Sequence, residues 1–68
     1  MPDGLSSREA EVLRLAARGL SNDEISRALF VSSSTAKNHL SNIYRKIDVN
    51  NRAAATRFAI RHGLTEVE

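Results

Sequence analysis

The chain contains no cysteine and no tryptophan, and its aromatic side chains are two phenylalanines and one tyrosine. Without thiols there is no disulfide framework, no thiolate metal site and no cysteine nucleophile, which fits a reducing cytosol and excludes a stapled secreted mini-protein. With so few aromatics, the core must be built from Leu, Ile, Val and Ala. No apolar run approaches the roughly 18 residues of a membrane span, and the opening MPDGLSS has neither the basic nor the apolar region of a secretory leader. The expectation is a soluble, cytoplasmic chain without a membrane partner. Period-2 strand patterns, internal repeats and low-complexity tracts are also missing.

What is present is 68 residues, 41% hydrophobic and 26% charged, which is the composition of one small globular domain and leaves no room for a large catalytic cleft. The net charge of +2 conceals an asymmetry. Residues 32–62 hold six of the ten Lys and Arg, both histidines, and Asp48 as their one acid, whereas residues 1–31 are close to neutral. A basic half on a small domain is the footprint of a polyanion, nucleic acid first. His39 and His62 do not change that reading. No Gly-rich elbow accompanies them for a hydrolase triad, and neither i to i+4 spacing nor paired carboxylates supports a metal site. No catalytic residue, metal, cofactor or small-molecule ligand is expected.

Helix punctuation recurs along the chain. Ser6 precedes Glu9 by three residues and Ser21 precedes Glu24 by three, the capping-box spacing that satisfies orphan amides at a helix start. The first helix is placed at about 7–18, with Val12, Leu13, Leu15 and Ala16 as its apolar set and Gly19 as its left-handed end. The second follows at about 22–29, stapled by Leu20 against Ile25. After Phe30-Val31-Ser32, the hydroxyls of Ser32 to Ser34 start a third helix at about 33–47. Ala36, Leu40, Ile43 and Ile47 fall within about a 60° stripe of it, a single buried face. Asp48 to Asn51 favour a turn, and a fourth helix at about 52–62 ends on Gly63, with Leu64 folding back. Ala55 and Ala59 are expected in its core face.

The result is an all-α, four-helix domain whose second and third helices form a helix-turn-helix. Opposite the buried stripe of the third helix lie Ser34, Lys37, Asn38, Ser41 and Arg45, none of them apolar. Short hydroxyls and amides let a helix enter a groove about 12 Å wide, where Lys and Asn match base edges. Thr35, His39, Asn42 and Lys46 flank this face and suit phosphate oxygens at the groove walls. An ordinary solvated helix carries acids at i to i+4 spacing, yet this helix has none before Asp48. The alternatives are a small helical interaction module whose basic face meets an acidic protein and, within the DNA class, a sigma-factor-like promoter-binding region.

Three segments match something specific: Leu5-Ser6-Ser7-Arg8-Glu9-Ala10-Glu11-Val12-Leu13, then Gly19-Leu20-Ser21-Asn22-Asp23-Glu24-Ile25, then Thr35-Ala36-Lys37-Asn38-His39-Leu40 with Ile43 and Lys46-Ile47. Over residues 5–64 the chain resembles the LuxR/FixJ-type (GerE-like) helix-turn-helix, the effector domain of many bacterial response regulators and quorum-sensing regulators. The resemblance implies double-stranded DNA as partner, transcription regulation as function and the third helix in the major groove. Lys37, Asn38 and Ser41 would contact bases, and Thr35, His39 and Lys46 phosphates, with Ser21 and Asn22 at the start of the second helix. Position on the third helix adds Ser34 to the base contacts and Ser33, Asn42 and Arg45 to the phosphate contacts. The resemblance also implies a two-fold contact through the fourth helix; on this chain Ala54, Arg57, Phe58 and Arg61 would form it if Phe58 is exposed rather than buried, and repulsion between the arginines would keep it weak without DNA and favoured on an inverted repeat. Departures from the family pattern are Asp23 where a basic residue is usual, Ser26 for Ala, Ala36 for Val, and Ala54 for an acid. Residues 1–4 read as a linker or the cut end of a longer chain, and residues 65–68 as a tail.

Overall fold

The computed structural model describes residues 4–65, so that apart from Gly4 and Thr65 the linker and tail expected from the sequence lie outside the described residues. Four helices follow in order: α1 Ser7–Ala17, α2 Asn22–Leu29, α3 Ser33–Lys46 and α4 Arg52–Arg61. Among the described residues there is no strand. Each helix begins on a short polar side chain that accepts a bond from the third helical amide: Ser6 from Glu9, Ser21 from Glu24, Ser32 from Thr35 and Asn51 from Ala54. At the first two the glutamate reaches back. Glu9 Oε1 accepts from the Ser6 N–H at 2.9 Å and Glu24 Oε1 from the Ser21 N–H at 2.8 Å, which completes both capping boxes.

The four helices also end alike. A left-handed residue, Gly19, Phe30, Asp48 or Gly63, is followed by an apolar one whose N–H returns to the carbonyl five residues back: Leu20 to Leu15, Val31 to Ser26, Val49 to Tyr44 and Leu64 to Ala59. All four apolar residues then pack against the core. Gly19 and Gly63 are legible as left-handed stops; at Phe30 and Asp48 the sequence indicates a break, but not that these residues take φ of 57° and 58°.

The core is almost wholly aliphatic: Leu5, Val12, Leu13, Ala16, Ile25, Ala36, Leu40, Ile43, Ile47, Ala55 and Ala59, with Phe58 as its one aromatic. α1 packs mainly along α4 and α2 against α3, while α1 also touches α3 and α2. Ala36 is fully buried where the wider Val is usual, and Ser26 is buried with its hydroxyl donating to the Asp23 carbonyl at 2.7 Å. The crossing therefore holds a polar atom without leaving it unpartnered.

One expectation is corrected here. Phe58 is not on an outward face of α4: it is 9% exposed, shares the buried stripe with Ala55 and Ala59, and stacks on His62 with ring centroids 4.1 Å apart. Positions 55, 58 and 59 fall on one side of a 3.6-residue helix, and the largest apolar side chain on that side goes inward.

Lys46, at the end of α3, is tied to the start of α1. Its Nζ donates to Glu9 Oε1 at 2.7 Å, and the Glu9 side chain is only 9% exposed. The bond from Lys46, with the Ser6 N–H, holds the Glu9 carboxyl below its ordinary 4.5 against the opposing effect of burial.

Two outcomes follow for stability. Phe30 is 95% exposed and loses no packing when truncated, so Phe30→Gly should relieve its left-handed backbone and stabilise the fold by about 0.5–1 kcal/mol in denaturant titrations. A loss of stability would show that the Phe30 ring has a partner. Glu9, whose folded value is depressed, contributes stability that is complete above its unfolded value near 4.5 and is lost as pH falls through the folded value. Denaturation midpoints of Glu9→Gln should accordingly be lower than those of the parent at neutral pH and should converge with them in acid.

Candidate nucleic-acid interface

The buried stripe of α3 fixes which way the rest of the helix points. With Ala36, Leu40, Ile43 and Ile47 inward, Ser34, Lys37, Asn38, Ser41, Asn42 and Arg45 are all exposed. Among the described residues none of these six side chains is hydrogen-bonded to another part of the chain. The face carries two cations and no acid, and it presents hydroxyl, amide and ammonium groups at helical spacing. His39 sits half-buried at its edge.

The start of α3 is organised differently. Ser32 Oγ accepts from the Thr35 N–H at 3.0 Å and donates to Thr35 Oγ1 at 2.9 Å, so the Thr35 hydroxyl keeps its own proton for an outside acceptor. Ser33, expected to donate to a phosphate, donates instead to Asp23 Oδ1 at 2.7 Å. With its proton engaged, the Ser33 hydroxyl has only lone pairs to offer, which a phosphate oxygen does not accept. That bond pins the first turn of α3 to the first turn of α2. It also explains what Asp23 does where the family pattern has a base.

At the start of α2, Ser21 is exposed and its hydroxyl accepts from the Glu24 N–H. Glu24 is held below its ordinary value by the Ser21 backbone N–H first and the Ser21 side chain second. Asn22 is half-buried, and its Oδ1 accepts from Arg52 Nη2 at 3.1 Å. Lys46 keeps 42% of its side chain exposed while bonded to Glu9, so its charge is shared with an internal carboxylate rather than fully available to a phosphate.

Sequence reasoning missed Arg52. Its Nη1 donates to the Leu20 carbonyl at 2.6 Å and the Ala16 carbonyl at 3.2 Å, so that one guanidinium joins the end of α1, the α1–α2 turn, the start of α2 and the start of α4. A signal was available: a cation in the first turn of a helix opposes the helix dipole, and α4 has no acid there to offset it. A residue so placed is engaged elsewhere. Beside it lies an open groove of about 550 Å³ lined by Gly19, Leu20, Ser21, Asn22, Asp23 and Arg52. On α4, Arg57 and Arg61 are exposed and Ala54 half-buried, which leaves the expected two-fold contact with those three residues and without Phe58. Among the described residues no cluster of His, Asp and Glu could hold a metal ion, and no helix is long and apolar enough to cross a membrane.

The chain is similar to known proteins in sequence and in fold. The family described as "GerE: Bacterial regulatory proteins, luxR family" matches residues 3–59. The chain is 46% identical over 63 residues to the transcriptional regulatory protein DegU of Brevibacillus brevis, covering 93% of this chain and 27% of that protein. It is 50% identical over 54 residues to a nitrate/nitrite response regulator protein homolog of Haemophilus influenzae, covering 79% and 26%. Among solved structures, the response regulator ChrA of a heme-sensing two-component system superposes with a TM-score of 0.83 at 44% identity, over 90% of this chain and 30% of that one. The chain thus spans between a quarter and a third of the length of these relatives.

Proposed function

The chain belongs to the luxR family of bacterial regulatory proteins, a family of helix-turn-helix DNA-binding domains of transcription regulators, and from that membership we propose that it binds double-stranded DNA sequence-specifically, with α3 in the major groove. It would act as the effector domain of a cytoplasmic regulator of the response-regulator type, by binding alone, without catalysis, cofactor or small-molecule ligand. The observation that carries this reading is the outward face of α3: six exposed polar side chains without partners among the described residues, opposite a buried stripe.

The roles divide by reach. Ser34, Lys37, Asn38 and Ser41 lie along the middle of the face and would meet base edges. Thr35, His39 and Asn42, on one side of the face, and Arg45 toward its C-terminal end would meet phosphates, and Ser21 and Asn22 would meet the backbone from the start of α2. Lys46 would add a weaker contact because Glu9 already holds it. Two copies paired through Ala54, Arg57 and Arg61 would place two α3 helices about 34–36 Å apart on an inverted repeat. Repulsion between the arginines, with Phe58 buried and unable to add apolar area, makes that pairing weak off DNA.

Duplexes selected from a randomised pool, compared with scrambled ones, test base reading. Asn38→Ala should cost about 1–3 kcal/mol on the selected duplex and much less on the scrambled one, while Arg45→Ala should weaken both alike and lower the salt slope by about one. Equal losses for Asn38→Ala on both duplexes would refute base reading, and failure to bind either would favour the acidic-protein alternative. For pairing, sedimentation of the free chain should show a monomer at micromolar concentration, and a duplex with two inverted half-sites should be bound cooperatively. A stable dimer off DNA would contradict the repulsion argument.

A further inference from the structure

We infer that Arg52 is a positioning residue that sets the side-chain amide of Asn22 for contact with the DNA backbone; this rests on the DNA-binding reading above. A guanidinium has donors and no acceptor, so the atom of Asn22 facing it at 3.1 Å must be the carbonyl oxygen. The amide is therefore fixed in one of its two flipped states, with its NH₂ turned away from Arg52. Among the described residues no acceptor takes those protons, and no buried polar side-chain atom is left unpartnered, so the NH₂ reaches solvent. Asn22 lines the open groove at the start of α2, together with Ser21 and Arg52.

A side-chain donor at the positive end of a helix suits a phosphate oxygen. Asn22 alone would not hold this arrangement. A half-buried asparagine amide rotates through about 180° at little cost unless a bond distinguishes its ends, and the flipped state would turn a carbonyl oxygen toward the phosphate. Arg52 supplies that distinction. Its other bonds, to the Leu20 and Ala16 carbonyls, fix the guanidinium plane, so the orientation of Asn22 is determined from the first residue of α4. Lys at position 52 would keep the charge and a bond to Leu20, but a single nitrogen does not span the two sides of the fork.

The test is a double-mutant cycle on the 68-residue chain, Asn22→Ala against Arg52→Lys, with binding to a mixed-sequence duplex measured across a salt series. Each single variant should lose about fivefold in affinity, and the double variant no more than Asn22→Ala alone, with the salt slope unchanged because no charge is removed. Losses that multiply would overturn the proposal. So would a slope lowered by about one in Arg52→Ala, since the guanidinium would then neutralise a phosphate itself. If substitution at 52 unfolds the chain, the unsubstituted protein still decides the matter: the Asn22 side-chain NH₂ resonances should shift on adding duplex, and unshifted resonances under saturating duplex overturn it. Absence of duplex binding by the unsubstituted chain would instead fail the underlying DNA-binding reading, and the proposal with it.

Discussion

Everything outward on this domain depends on the rotational setting of one helix. α3 has fourteen residues and a single buried stripe, and each Leu or Ile in that stripe is worth about 1.5–3 kcal/mol when removed from water. Turning the helix by one residue would bring Lys37 and Ser41 into the core, where unpaired polar groups cost as much as the aliphatics gain. The burial of Ala36, Leu40, Ile43 and Ile47 therefore decides, without further contacts, that the unengaged side chains face outward. The full burial of Ala36, a small side chain at the crossing, goes with the close packing of α2 on α3, and the Ser33 to Asp23 bond then locks their starting ends together.

Electrostatics reinforces the same division. The carboxylates of α1 and α2 are each engaged within the chain, Glu9 by Ser6 and Lys46, Glu11 by Arg8, Asp23 by Ser33, and Glu24 by Ser21. None of the four is bonded to Lys37 or Arg45. The basic character visible in residues 32–62 thus survives on the surface, because these four acids are engaged within the chain and Asp48 is the one acid of that segment. A uniform surface of alternating charges would have been as soluble but would not concentrate positive potential along one helix.

How much of this could be read beforehand follows from the range of each interaction. Capping boxes at Ser6 and Ser21, the apolar period of α3 and the glycine stops are encoded within a few residues, and the four helices fall within a residue of where those signals put them. The outward placement of Ser34, Lys37, Asn38 and Ser41 was legible for the same reason. Glu9 with Lys46, and Arg52 with Ala16, Leu20 and Asn22, join positions far apart in sequence, and no local pattern reports them. α4 failed differently. With Ala55 and Ala59 set inward, the same period puts position 58 on their side, and an outward Phe58 serves a two-fold contact that the period of α4 does not support.

The shared form of the four helix ends bears on how the chain reaches its structure. Each closure, from Leu20 to Leu15 through Leu64 to Ala59, reverses the backbone within five residues and delivers an apolar side chain to the core at once. Little chain entropy is lost before contacts form, because the intervening loops are short. Proteins whose contacts are mostly local in this sense fold on microsecond to millisecond timescales. Opened by force or heat, such a domain regains its shape on the same timescale once the stress is removed.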